Sequence, residues 1–208
     1  MILKICGITN QDDASAAIEA GANALGFNFY PRSPRYVHPG QAGEIVTAAG
    51  VRRVGIFVNE AREVVEGIVR AAHLDVAQLH GEETSGDYPA TAPVWKAIRL
   101  GTDLRFASLF AQLRQHDFDP AEALLLDGPA SGVPFQWSAA KTVWLTLRRP
   151  HRIILAGGLD SSNVAKAIAE MHPWGVDACS RIESAPGKKD RKKMTEFLQA
   201  AMAAAVHV

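Results

Sequence analysis

The chain has 208 residues, 48% hydrophobic and 21% charged, with 22 basic and 22 acidic side chains for a formal net charge of +0. That composition can bury the core of one globular domain, and the balanced charge supplies no overall field to gather nucleic acid or an anionic membrane. No apolar run approaches bilayer length, MILKICGIT is too short and too charged for a signal-peptide core, and Cys6 and Cys179 make no metal-binding pair. A cytoplasmic protein with free thiols, no structural metal and no nucleic-acid or membrane partner is expected.

Leu3–Ile8 (LKICGI) reads as a first strand, and QDDASAAIEAG as a helix capped by Asn10 and closed by Gly21. ALGFNFY is a second strand. The segment after it, HPGQAGEIVTAAG, is a weak helix because Gly and Pro interrupt it. VGIFVN leads into AREVVEGIVRAAH, where Val64, Val65, Ile68 and Val69 are expected to form one apolar stripe. VAQLHG is followed by the weak segment EETSGDYPATA, and VWKAIRL by the helical DLRFASLFAQLRQH. ALLLDG and RIILAGG come next. SSNVAKAIAEM is a helix with Ser161 or Ser162 at its N-cap, then GVDACS and a last helix in DRKKMTEFLQAAMAAAV.

Several strand runs are almost wholly apolar, as in strands buried on both faces. Strand and helix alternate about every 25 residues, the pattern of a (β/α)8 barrel. The predicted fold is a single (β/α)8 TIM barrel over residues 1–208, with a doubly wound open sheet as the second choice.

In such a barrel the chemistry sits at the C-terminal ends of the strands. The first candidate there is Cys6, at the end of strand one. Asp127 ends ALLL, where burying a carboxylate without a function or partners is costly, so it is a candidate general acid. Gly157 and Gly158 in LAGGL offer backbone that can approach a phosphate, together with the loop after strand eight at Ser180 and Arg181. Arg35, in the proline-stiffened YPRSPRY, is placed to present its fork to a carboxylate, while Arg32 reads as a solvated surface residue. Lys4 and Cys6 share one face of strand one, as Asp177 and Cys179 share one face of strand eight, so Lys4 and Asp177 are expected to pair inside the barrel. His80 reads equally as substrate contact or structural histidine, and Tyr36 and Trp137 as packing residues.

The motifs KICGIT, GFNFYPRSPRYV, VGIFVN, QLHG, LLLD, LAGGL and PGKKD run nearly end to end, and together the sequence resembles the phosphoribosylanthranilate isomerase family. The resemblance implies a small phosphosugar substrate of tryptophan biosynthesis and an Amadori rearrangement needing neither cofactor nor metal. It implies Asp127 as general acid at the furanose oxygen and Cys6 as the thiolate base at C2. Arg35 would bind the anthranilate carboxylate. Gly157, Gly158 and the backbone after Ser180 would hold the phosphate. The related histidine-pathway isomerase has aspartate where Cys6 stands, which argues for the anthranilate substrate.

Two stretches depart from the family pattern. VDACSRIE stands where the family reads like VDVSSGVE, placing cysteine for a serine and Arg181 for a glycine. Arg181 is compatible with a phosphate contact unless that position needs a positive φ. After Asp127, GPASGVPFQW is shorter than the usual Gly-rich loop. A broader aminoaldose isomerase and a non-catalytic phosphate-binding barrel are the alternatives, with a monomer as the default. The two thiols are expected to point apart, although a disulfide between them is the sharper alternative.

Overall fold

The structure, a computed structural model, describes residues 1–100, 120–128 and 151–206. The helix expected in 103–116 and the altered loop after Gly128, including Trp137, lie outside the described residues.

Eight parallel strands close a barrel in sequence order. They are β1 (Ile2–Cys6), β2 (Ala24–Asn28), β3 (Arg52–Phe57), β4 (Val76–Leu79), β5 (Val94–Arg99), β6 (Ala123–Asp127), β7 (Arg152–Ala156) and β8 (Gly175–Ala178). Each falls within or beside the apolar run that predicted it. The described helices are α1 (Gln11–Glu19), α2 (Pro39–Glu44), α3 (Arg62–Ala71), α4 (Val164–Met171) and α5 (Arg191–Ala205). A short antiparallel hairpin, β9 (Glu183–Ala185) with β10 (Lys188–Lys189), follows the barrel.

Alternation along the strands separates two apolar layers. Ala24, Val54, Val76, Trp95, Leu125 and Ile154 fill the barrel interior. Residues such as Leu25, Phe27, Leu124, Leu126 and Leu155 point outward into the shell of helices. The N-terminal end is closed by Glu122, which accepts from Arg52 Nη1 and Trp95 Nε1, each at 2.8 Å. Chemistry is thereby left to the other end.

Local signals explain most helix bounds. Asn10 Oδ1 accepts from Asp13 N at 2.8 Å, and Gly21 stops α1 at φ +106°. The interrupted segments give only the six-residue α2 and a single 3-10 turn at Ser85–Asp87. Two expectations are corrected. Val64 is 45% exposed, since α3 turns Val65 and Val69 to the core and leaves their neighbour outside. Ser161 and Ser162 do not cap α4, whose N-cap is Asn163, because Asp160 holds Ser162 N in a local turn at 2.9 Å.

Candidate active site

One cavity at the C-terminal mouth of the barrel is lined by every candidate from the sequence: Cys6, Arg35, Asp127, Gly157 and Gly158, with Ser180 and Arg181. Strand ends far apart in sequence reach the same space because a closed barrel brings all eight to one rim.

Cys6 closes β1 beside Gly26 of β2. A Cβ on Gly26 would lie 2.8 Å from Cys6 Sγ, so the glycine makes room for the sulfur. Beneath it, Lys4 Nζ donates to Asp177 Oδ2 at 2.6 Å, the pairing expected across β1 and β8. Lys4 is fully buried, yet Asp177 and Cys6 outweigh that burial and hold it protonated, above an ordinary lysine. Burial pushes the Asp177 carboxyl up to about 7 against the pull of Lys4, with negative charge at Cys6 adding to the rise.

The two thiols do not point apart. Cys179 follows β8 directly, and its side chain lines the same cavity as that of Cys6. Their strands bring them together: Ile5 pairs with Ala178, and each cysteine is the next residue along. The Cys6 thiol is held well below an ordinary thiol, first by the hydrogen bond from Cys179 and then by Lys4 and Lys189, against its burial. That same hydrogen bond, with burial, raises the Cys179 thiol. Both thiols are free.

Asp127 stands at the end of β6, its side chain 28% exposed. His80 Nε2 lies 3.1 Å from Asp127 Oδ2, and Gln78 Nε2 lies 3.2 Å from His80 Nδ1. With Nδ1 accepting from Gln78, Nε2 carries the hydrogen and donates to Asp127. His80 is thus a neighbour of the candidate acid and lines the cavity. Gly157 is packed against this acid at φ +93°: an added Cβ would come 2.1 Å from Gly128 N and 3.1 Å from Asp127 Oδ1. Gly158 adopts φ +66° beside it.

Arg35 does present its fork to a carboxylate, but to one within the chain. Nε and Nη2 donate to Glu183 at 2.9 and 2.7 Å. Glu183 also accepts from the fully buried Lys189 Nζ at 2.9 Å. These two cations hold the carboxyl below the usual range despite its burial. Thus the hairpin, not the prolines alone, orients Arg35. Arg32 is exposed, as expected, and so is Tyr36 at 40%, which corrects its reading as a packing residue.

Arg181 lies in the 3-10 turn Ser180–Ile182, a conformation open to any residue, so its replacement of a glycine strains nothing. Its guanidinium is engaged by Asp160, which joins the loops after β7 and β8. Asp160, Glu183, Lys189 and Gln78 support the site although no strand-end position or spacing in the sequence marks them; Gln78 lies in QLHG, Glu183 in VDACSRIE and Lys189 in PGKKD. Gln78 Oε1 and Asp177 Oδ1 are buried without a hydrogen-bond partner among the described residues, and both side chains line the cavity.

Comparison with known proteins gives the chain's family. The model of the family described as N-(5'phosphoribosyl)anthranilate (PRA) isomerase matches residues 3–200. The N-(5'-phosphoribosyl)anthranilate isomerase of Solibacter usitatus is 59% identical over 210 residues, covering 98% of each chain. A crystal structure of phosphoribosyl anthranilate isomerase from Thermotoga maritima superposes with TM-score 0.85 at 35% identity, over 98% of this chain and 100% of that one. A second, of phosphoribosyl anthranilate isomerase in complex with reduced 1-(o-carboxyphenylamino)-1-deoxyribulose 5-phosphate, gives TM-score 0.83 at 35% identity with the same coverage. Among the described residues, no helix is long and apolar enough to cross a membrane.

Proposed function

Because the chain belongs to the N-(5'-phosphoribosyl)anthranilate isomerase family, we propose that it converts N-(5'-phosphoribosyl)anthranilate to 1-(o-carboxyphenylamino)-1-deoxyribulose 5-phosphate, a cytoplasmic Amadori rearrangement of tryptophan biosynthesis. The observation that carries the reading is the common cavity of Cys6, Asp127 and the positive-φ pair Gly157–Gly158. An acid, a base and an exposed backbone suited to an anion face one space.

Asp127 donates a proton to the furanose oxygen as the C1–O bond breaks, leaving a Schiff base between C1 and the anthranilate nitrogen. His80 Nε2, 3.1 Å away, donates its hydrogen bond to the carboxylate left behind. The Cys6 thiolate removes the C2 proton, the C1=N electrons move to nitrogen, and the resulting enolamine tautomerises to the ketose. A thiol at its ordinary pKa of about 8.5 is mostly protonated at neutral pH. The Cys179 hydrogen bond, then Lys4 and Lys189, supply the needed depression against burial.

Substrate positioning falls to the remaining groups. Arg35 reads the anthranilate carboxylate while Glu183 fixes its plane. Gly157, Gly158 and the backbone at Ser180 and Arg181 hold the phosphate. Gln78 Oε1 and Asp177 Oδ1 offer acceptors to sugar hydroxyls.

The test is loss of anthranilate-type fluorescence on adding freshly made substrate, with Cys6→Ser and Asp127→Val beside the wild type. Rapid turnover lost at least about a hundredfold in both variants is expected for an acid and a base. A folded wild type without turnover overturns the reading.

A further inference from the structure

We propose that Cys179 is a positioning residue for Cys6: its thiol donates a hydrogen bond to the Cys6 sulfur and holds that sulfur as the thiolate facing the cavity. The proposal deepens the reading of Cys6 as base, and its consequence for turnover rests on that reading.

The backbone fixes the pair before any side chain is considered. Strands β1 and β8 run in register from Ile2–Gly175 to Ile5–Ala178. Cys6 and Cys179 therefore emerge side by side at the rim. Lys4 and Asp177, two residues earlier on the same strands, already meet inside the barrel at 2.6 Å. A Cβ placed on Gly7 would sit 3.2 Å from Cys179 Sγ, so the second sulfur lies against the chain just beyond Cys6. Both side chains line the cavity.

Two adjacent thiols cannot both ionise cheaply in such a place. One proton is shared, and the surrounding charges decide which sulfur keeps it. Lys4, two residues before Cys6 on the same strand, acts on it by its charge. Lys189, from the hairpin, acts on both sulfurs, with its Nζ 4.0 Å from Cys179 Sγ. It is already committed to Glu183 at 2.9 Å. Arg35 adds positive charge from the loop after β2. Asp177 below the pair opposes ionisation, and Asp127 and His80 stand across the cavity. Lys4 thus biases the anion to Cys6, leaving Cys179 as the donor. A serine hydroxyl has the same capacity to donate, while alanine has none.

The test follows the alkylation of each cysteine by iodoacetamide against pH, read by peptide mass spectrometry, and kcat/KM over the same range. Wild type, Cys179→Ala, Cys179→Ser and Cys6→Ser are compared. In wild type, Cys6 reacts first, with a midpoint below that of an ordinary thiol. Cys179→Ala moves the Cys6 midpoint and the acid limb of kcat/KM upward by about one pH unit or more, about a tenfold loss of thiolate at pH values below both midpoints. Cys179→Ser restores most of that shift. An unmoved midpoint in Cys179→Ala overturns the proposal. So does an equal rise in the serine and alanine variants, or preferential alkylation of Cys179 at low pH. If the alkylation midpoints behave as expected but Cys6→Ser still turns substrate over, the assignment of Cys6 as base fails and the hydrogen bond stands.

Discussion

Glu183 clasps Arg35 with both carboxylate oxygens, at 2.9 Å to Nε and 2.7 Å to Nη2, across 148 positions of sequence. The same carboxylate takes Lys189 at 2.9 Å, so one anion holds two cations at the cavity wall. Removing a partner from a buried pair costs about 3–5 kcal/mol, because the remaining charges lose compensation. Glu183→Gln should therefore lower the melting temperature and raise KM for the anthranilate substrate about tenfold or more, with a smaller effect on kcat. Thermal melts and steady-state kinetics check both. An unchanged KM would show that Arg35 holds its place without Glu183.

Gly157 has no room for a side chain. Its φ is +93°, and a Cβ would lie 2.1 Å from Gly128 N. Gly157→Ala combines backbone strain of about 1 kcal/mol or more with a clash against the strand end that carries Asp127. The expected outcome is a lower melting temperature together with a fall in kcat of at least tenfold, read from melting curves and initial rates.

The barrel was legible because its strands are buried on both faces: ALLL and IILA have no solvent side to interrupt the apolar run. The site was legible only as strand ends. Cys6, Asp127 and Gly157–Gly158 each terminate a run, so their place at the rim follows from the topology. Glu183 and Lys189 do not, because their role depends on a two-stranded hairpin that folds back over Arg35. Register brings Cys6 and Cys179 to the same stretch of rim, but Cys179 lies one residue past its strand, so the direction of its side chain was open in the sequence. Ser161 and Ser162 lost the cap position to Asn163 because Asp160 competes for the same local backbone.

Acid sensitivity should come from carboxylates paired with buried lysines. Glu83 accepts from Lys96 Nζ at 2.9 Å and from Asn59 N at 2.7 Å, and these contacts lower its pKa despite burial. Glu183 is lowered likewise. A carboxyl depressed by folding contributes stability that is complete above its unfolded value, about 4.3, and is lost as pH falls through the lower folded value. Stability should thus hold near pH 6 and drop below about pH 4.5. Glu83→Gln, less stable at pH 7, should show a shallower acid decline in urea titrations run at several pH values.

The thiol pair should close under a mild oxidant. Diamide accepts two electrons and two protons as Cys6 and Cys179 lose theirs and the S–S bond forms. Two free thiols should disappear per chain, turnover should fall with them, and dithiothreitol should restore both. Cys179→Ser, left with a single cysteine, should form no internal disulfide. Full activity after diamide with all thiols still titratable would show that the sulfurs never reach bonding geometry.

Lys4 is the charge on which this end of the barrel depends, and its removal should separate folding from ionisation of the thiol. Lys4→Met strands Asp177 among buried groups, at a cost of about 3–5 kcal/mol near neutral pH. The carboxyl already stands near 7 and should rise further without its partner. A group whose folded pKa lies above its unfolded value loses stability as pH climbs between the two, so the deficit should be small near pH 4 and grow toward pH 8. Replacing both residues, as Lys4→Met with Asp177→Leu, removes the stranded charge and should recover most of the stability. It should not recover the low thiol midpoint, because the cation facing Cys6 is gone. Urea melts at several pH values measure the first effect, and Cys6 alkylation in the double variant measures the second. Recovery of both would show that Lys4 serves only the ion pair.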